Sequence, residues 1–265
     1  MLPSHADLQF VAAAVRREFA QRHRGAILGR AWVVLQPAAM IAIYTVVFSQ
    51  VMHGRLPGAQ GVAASPWGYS VFLCAGLLPW NLFAETLTRV QNGFFDQALY
   101  LKKTTMPMLT PALVGLGIAV ANFALAMLLF AAFLLVVGLW PGWALLWLIP
   151  ALGVQMALAA GAGLALGTVT VFFRDVQTLV QLVLQFGFWF TPIVYPLVIL
   201  PAWAQAWVMQ VNPLAPLMLW YQTVLLEGRM PDWGLLAPAA TWAVLALLGA
   251  GYLLRRRGGE LVDLL

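Results

Sequence analysis

The sequence predicts an all-α integral membrane protein with six transmembrane helices, and three observations lead there. The first is composition: 63% of the 265 residues are hydrophobic and 9% are charged, whereas a soluble globular chain carries about 25% charged residues. The second is the presence of six long apolar stretches. A crossing helix needs about 20 such residues, because a rise of about 1.5 Å per residue must cover a hydrocarbon core of about 30 Å. The third is the distribution of Lys and Arg, which falls almost wholly on one side of the resulting topology. The mean hydropathy of +0.88 excludes a soluble enzyme and a disordered chain, and it makes the pI of about 9.8 a matter of topology rather than of nucleic-acid binding.

Residues 1–30 precede the first apolar stretch and read as a cytoplasmic interface helix. Ser4 and Asp7 are spaced as a capping box. Leu8, Val11, Val15 and Phe19 then form an apolar stripe opposite Arg16, Arg17, Glu18 and Arg22, the pattern of an amphipathic helix on a membrane surface. Its basic end, Arg22, His23, Arg24 and Arg30, suits attraction to anionic headgroups, and equally a grip on a lipid-linked phosphate. No apolar run lies close enough to the N-terminus for a signal peptide, so the N-terminus is expected to stay in the cytoplasm.

The six spans are placed at Ala31–Met52, Tyr69–Ala84, Ala112–Gly138, Trp143–Phe172, Gln177–Tyr195 and Gly234–Leu254; the second is short unless it runs on through Thr88. With the N-terminus inside, both termini are inside, and all of the 14 Lys and Arg except Arg55 and Arg229 fall on the cytoplasmic side. Glu227 and Asp232 balance those two, which leaves the whole net charge of +5 inside. The transmembrane unit thus covers residues 31–254, and residues 255–265 form a cytoplasmic tail.

Two connecting segments have structure of their own. Between spans two and three, a short cytoplasmic helix at about 92–104 contains Phe94, Phe95, Asp96, Leu99, Tyr100, Lys102 and Lys103, with acid early and lysines late, as the helix dipole favours. Its apolar side either packs on its own chain or membrane, or docks a soluble protein. On the outer side, residues 196–231 are apolar but interrupted by Pro201, Pro213 and Pro216. The pieces are too short to span and suit re-entrant helices, with Trp203, Trp207, Trp220, Tyr221 and Trp233 expected as interfacial anchors.

As drawn, no span contains Asp, Glu, Lys, Arg or His, which argues against an ion-coupled transporter. The loops hold no paired carboxylates for a membrane glycosyltransferase or acyltransferase, and the single cysteine, Cys74, supports neither a disulfide nor a metal site. The spans carry uncharged polar groups instead. Gln177, Gln181 and Gln185 recur every fourth residue on the fifth span and so share one face; Phe188, Trp189, Phe190 and Tyr195 follow. On the first span Tyr44 and Phe48 are also four apart. Amides and rings on these faces either bond between packed helices or line a conduit for sugars, whose hydroxyls meet amides and whose C–H faces lie on rings. Ala159, Gly163 and Gly167, with Gly153, Ala157 and Gly161 beside them, have the small-xxx-small spacing of close helix packing, within the subunit or across a subunit boundary.

Three segments, in order along the chain, resemble the permease subunits of type-2 ABC transporters that export polysaccharide. They are RHRGAILGRAWVVLQPAAMIAIYTVVFS over 22–49; AGLLPWNLFAETL over 75–87 followed by LKKTTMP over 101–107; and FFRDVQTLVQLVLQFGFWFTPIVYP over 172–196 followed by NPLAPLMLWYQTVLLEG over 212–228. The fifth-span segment is nearer the O-antigen and teichoic acid branch than the capsule branch. The resemblance implies a homodimer in the bacterial inner membrane, with two copies of a separate ATP-binding subunit. This chain would then hold no cofactor, ATP and Mg²⁺ would sit in the partner, and the substrate would be a lipid-linked polysaccharide. It also implies that Tyr44, Phe48, Gln181, Gln185, Phe188, Trp189, Phe190 and Tyr195 belong to the channel. Arg22, Arg24 and Arg30 would receive the lipid phosphate, and Phe94, Phe95, Asp96, Leu99, Tyr100 and Lys102 would couple to the ATPase. The sequence itself contains no Gly-Lys pair and hence no phosphate-binding loop. Export of capsule, or of a smaller lipid or drug, remains the alternative, and a scaffold without transport is the reading from another class.

Overall fold

The computed structural model describes residues 5–21, 31–47, 64–103 and 107–264, and every regular element among them is helical. In chain order these are α1 (His5–Gln21), α2 (Trp32–Thr45), α3 (Gly68–Asp96), α4 (Ala98–Lys103), α5 (Thr110–Val136), α6 (Leu148–Phe172), α7 (Asp175–Phe190), α8 (Ala202–Val211), α9 (Leu214–Gln222) and α10 (Leu236–Leu264). Four helical segments are long and apolar enough to cross a membrane: Gly68–Asp96, Thr110–Val136, Gly142–Phe172 and Trp233–Leu261. They correspond to the second, third, fourth and sixth expected spans. The first is represented by α2, 14 residues long, and the fifth by α7, 16 residues or about 24 Å.

The second span departs most from expectation. Instead of stopping at Ala84, α3 runs unbroken for 29 residues to Asp96, carrying Glu85 and Arg89 on a membrane-length helix. The helix therefore carries ionisable groups that a span ending at Ala84 leaves out. The chain breaks at Gln97, whose N–H bonds back to the Gly93 carbonyl, and restarts as the six-residue α4. A single helix over 92–104 is thus replaced by two, and Asp96 lies at the end of α3 rather than in a first turn. At the other end of the chain, α10 continues past Leu254 through Arg255, Arg256 and Arg257 to Leu264, so the expected tail is part of the last helix.

The core is built on α3, which packs on α5 and α6, while α6 also packs along α10. The small residues of α6 permit those contacts. A Cβ on Gly161 would lie 2.7 Å from the Leu247 backbone nitrogen of α10, and one on Gly167 would lie 2.8 Å from the Gln91 carbonyl oxygen of α3. Gly163 meets Val90 and the Leu87 carbonyl in the same way. The small-xxx-small pattern therefore serves packing inside this chain, on two neighbours at once. Gly153, toward the start of α6, has nothing within 4 Å of its missing side chain.

Two buried amides secure the same seam. Gln155 Nε2 donates to the Pro79 carbonyl of α3 at 2.7 Å, and Gln91 Nε2 donates to Thr170 Oγ1 of α6 at 3.0 Å. In apolar surroundings a buried amide must find such partners.

Between α7 and α10 the chain folds back on itself. Thr191 leaves the helical conformation just before Pro192, and residues 191–196 form a turn in which Ile193 is wholly buried. Asn212 caps α9, its Oδ1 accepting from the Leu214 N–H at 2.9 Å while its Nδ2 donates to Thr191 Oγ1 at 2.9 Å. α8 is largely exposed, with Trp203 and Trp207 outward, but α9 enters the core. Trp220 and Tyr221 are 0% exposed and so are not interfacial anchors. The indole N–H of Trp220 donates to the Trp147 carbonyl at 2.6 Å, and its ring packs edge-on against the half-exposed Trp233. α9 ends in a wider turn, Thr223–Glu227, stopped by Gly228 in the left-handed conformation at φ 61°.

The glycine seam makes a direct prediction. Gly161→Ala and Gly167→Ala each push a methyl group into backbone and are expected to lose about 1–3 kcal/mol of stability. Gly153→Ala, with open space around it, is expected to be neutral or to gain up to about 1 kcal/mol. Thermal unfolding of the purified variants in one detergent measures all three.

Candidate functional site

α7 is only lightly supported by its own chain. It rests on α6 and α3, and among its residues Val180 alone is buried, with Val176, Leu184, Gly187 and Phe188 half-buried beside it. Gln177, Gln181, Gln185 and Trp189 form one stripe next to this packed face, and all four are exposed. Phe190, Phe186, Leu182 and Val183 are exposed as well. The helix thus shows amides down one side and large apolar groups over the rest of its uncovered surface.

Its far end is aromatic. The ring of Phe188, half-buried, stands edge-on to the buried Trp80 of α3 at 5.9 Å and to Trp189 at 5.3 Å, and Trp189 itself is 63% exposed. Tyr195 lies half-buried in the following turn, beside Val194, whose carbonyl accepts from Tyr69 at 2.5 Å. Tyr44 is half-buried on α2, which packs on α3 and α5. The structure thus gathers Phe188, Trp189 and Trp80 into one cluster and carries Tyr44 on a separate element. Phe48, Arg22, Arg24 and Arg30 lie outside the described residues.

The expected docking residues divide between core and surface. Phe94 is 1% exposed and packs with Val90, Leu101, Ala112, Leu164, Ala250 and Leu261. Its role in this structure is to fasten the end of α3 to α5, α6 and α10. Phe95 is half-buried and Asp96 exposed. On α4, Leu99 is 70% exposed, Lys102 is exposed, and Tyr100 is partly exposed with its ring edge-on to Phe10 of α1 at 5.5 Å. The outward surface at this end is therefore Asp96, Leu99, Tyr100 and Lys102.

α1 packs on α5, with Val15 and Val11 over Gly117, so this part of the stripe expected on the membrane surface meets the helix bundle instead. Its Glu18 starts a chain of polar contacts that sequence reasoning misses. Glu18 pairs with Arg89 at 3.8 Å, Arg89 Nε donates to Glu85 at 2.7 Å, and Asn122 Nδ2 donates to the same Glu85 oxygen at 2.5 Å. Asn122 lies near the middle of α5, so the chain runs from the interface helix well into the bundle. The spacing of Glu85 and Arg89, four residues apart, is the signal available in the sequence; ending the span at Ala84, one residue before Glu85, obscures it.

With this geometry in view, the comparisons with known proteins decide the family. A model of the ABC-2 type transporter membrane family matches residues 9–226. The chain belongs to that family. This ABC-2 chain is 28% identical over 250 residues to the O-antigen export system permease protein RfbA of Myxococcus xanthus, covering 94% of this chain and 92% of that one. It is 29% identical over 210 residues to the protein of the same name from Klebsiella pneumoniae, covering 79% and 77%. It is 25% identical over 204 residues to the polysialic acid transport protein KpsM of Escherichia coli, covering 72% and 71%. As an ABC-2 membrane chain it is a multi-pass permease subunit.

The division between core and surface residues near α4 can be measured. Phe94→Ala is expected to cost about 3–5 kcal/mol, seen as a large fall in unfolding temperature, whereas Leu99→Ala, which empties no cavity, is expected to leave that temperature unchanged.

Proposed function

We propose that this ABC-2 permease is the channel-forming membrane subunit of an ATP-driven exporter of lipid-linked polysaccharide. The observation that carries the proposal is α7, with three glutamines in line leading to Trp189 and Phe190, all left uncovered by the subunit. Amides and aromatic rings without charge suit a neutral, hydroxyl-rich polymer that must bind weakly and keep moving. The names of the relatives, two O-antigen permeases and a polysialic acid transporter, point to polysaccharide as the substrate class, with the O-antigen type preferred and the capsule type, of which polysialic acid is a charged example, second.

In this reading α2 and α7 complete the set of six crossings and the turn-and-helix segment before α10 is re-entrant. The protein sits in the bacterial inner membrane with α1, α4 and both termini in the cytoplasm, in agreement with the one-sided distribution of Lys and Arg. Two copies meet so that their α7 faces enclose the path together with Tyr44 and Phe48. Asp96, Leu99, Tyr100 and Lys102 receive a separate ATP-binding subunit, in keeping with the absence of a phosphate-binding loop from these residues. Arg22, Arg24 and Arg30 hold the lipid phosphate at entry.

The test is export in cells whose chromosomal copy is replaced. Trp189→Ala and Gln185→Leu are each expected to reduce surface polysaccharide at least several-fold with the permease present at normal level and lipid-linked polymer accumulating inside. Normal surface polymer in both variants rules out α7 as the path.

A further inference from the structure

The last helix ends in a feature that neither the packing nor the proposed path uses. α10 packs on α6, α9 and α4, and the buried Ala239, Ala243, Ala250 and Leu261 mark that side. The other side presents Leu245, Leu248, Tyr252 and Arg256, all exposed and spaced three or four residues apart, so they stand in one column along the helix axis. Gly249 lies beside this column, between the turns of Leu245 and Tyr252. Nothing is within 4 Å of the place its side chain would take, so the surface is hollowed there. An apolar column with a notch, on a helix long enough to cross the membrane, is a surface for an acyl chain.

Three consecutive arginines close the column, and their surroundings differ. Arg257 is neutralised: its Nη1 donates to Glu260 at 2.8 Å, and its guanidinium lies 5.8 Å from the Phe172 ring of α6. Arg255 and Arg256 are exposed and pair with no carboxylate among the described residues. Arg256 is nevertheless held in place, because its Nη1 donates to the Tyr252 hydroxyl at 2.7 Å. Having accepted that bond, the tyrosine keeps its own O–H proton to donate. The remaining N–H groups of Arg256, the guanidinium of Arg255 on the flank and the Tyr252 O–H therefore offer donors and two positive charges just where the apolar column ends. A phosphodiester supplies the acceptor oxygens and the negative charge that these groups want. An acidic protein segment would answer the charge but leave the column of Leu245 and Leu248 unmatched.

We propose that the C-terminal end of α10 binds an anionic membrane phospholipid, with its phosphodiester on Arg255, Arg256 and the Tyr252 hydroxyl and an acyl chain along Leu248, Gly249 and Leu245. The site holds a resident lipid whether or not a polymer moves along α7, so it does not rest on the exporter reading.

Native mass spectrometry of the full chain, alone and with whatever partner co-purifies, resolves successive lipid-bound forms and gives a dissociation constant for the first lipid. The probes are dioleoyl phosphatidylglycerol and dioleoyl phosphatidylcholine, which share their chains and differ in head charge. The unsubstituted chain is expected to prefer the glycerol lipid by about ten-fold, and Arg256→Gln to lower that preference about five-fold. Tyr252→Phe, which keeps the ring and every charge, is expected to lower it about three-fold. Arg174→Gln, which removes the same charge from an exposed arginine at the start of α7, is expected to leave it unchanged. All three side chains are exposed, and an unaltered unfolding temperature shows that each variant is folded. Equal affinity for the two lipids overturns the proposal. So does an equal fall in Arg256→Gln and Arg174→Gln, which reduces the effect to a general attraction of basic residues, or a preference untouched by Tyr252→Phe. A preference shown by the chain alone and absent from its complex assigns the arginines to a protein contact, and also overturns it.

Discussion

The close approach of α6 to α3 on one side and to α10 on the other is the contact on which the rest of the structure depends. Lipid tails are as apolar as leucine, so the hydrophobic effect gives little drive to helix association inside a bilayer, and packing contacts and buried hydrogen bonds must supply it. Gly161, Gly163 and Gly167 let backbones meet at distances that a single methyl group would prevent. Gln155 and Gln91 add polar bonds across the same seam. Around α3, α6 and α10, α5 packs against α3, and α9 packs into the core beside Trp147, where Trp220 and Tyr221 are buried.

That rigid centre explains what is left outside it. α7 has only Val180 buried, because the surface of α6 and α3 that it could have used is already occupied by α10, α5 and α9. The helix that looks most functional in sequence is consequently left largely uncovered by its own chain, as the proposed transport surface between subunits requires. At the opposite end of α3 the polar chain from Glu18 through Arg89 and Glu85 to Asn122 fixes α1 to the bundle, so that the interface helix and the surface of α4 are held in a set relation to the membrane helices.

Much of this is legible in the sequence, and the failures have physical causes. Spans free of ionisable residues, such as α5 and α6, announce themselves by length, whereas the stripe of Val11 and Val15 reads as a membrane-surface face and is met instead by Gly117 of α5. α3 outruns its apolar stretch because Glu85 and Arg89 read as the start of a loop; only their partners, Asn122 on α5 and Glu18 on α1, make them tolerable within a span-length helix. Small-residue spacing on α6 shows that something approaches closely, but spacing cannot say from which helix. Trp220 and Tyr221 escape sequence reading for a related reason: aromatic residues in a proline-broken segment look interfacial until the fold back at Thr191 and the cap at Asn212 turn α9 inward. The amide stripe on α7 is assigned to one face by its spacing alone, and its exposure is what the sequence leaves undecided between packing and conduit.

Because the exporter reading proposes a separate ATP-binding subunit, the most direct measurement is gentle extraction of the tagged chain from its native membrane, followed by identification and stoichiometry of what co-purifies. An equimolar partner carrying a phosphate-binding loop, in a complex with two copies of each chain, is the expected result. A chain that purifies alone from several mild detergents, with its own fold intact, would contradict ATP-driven export by this subunit.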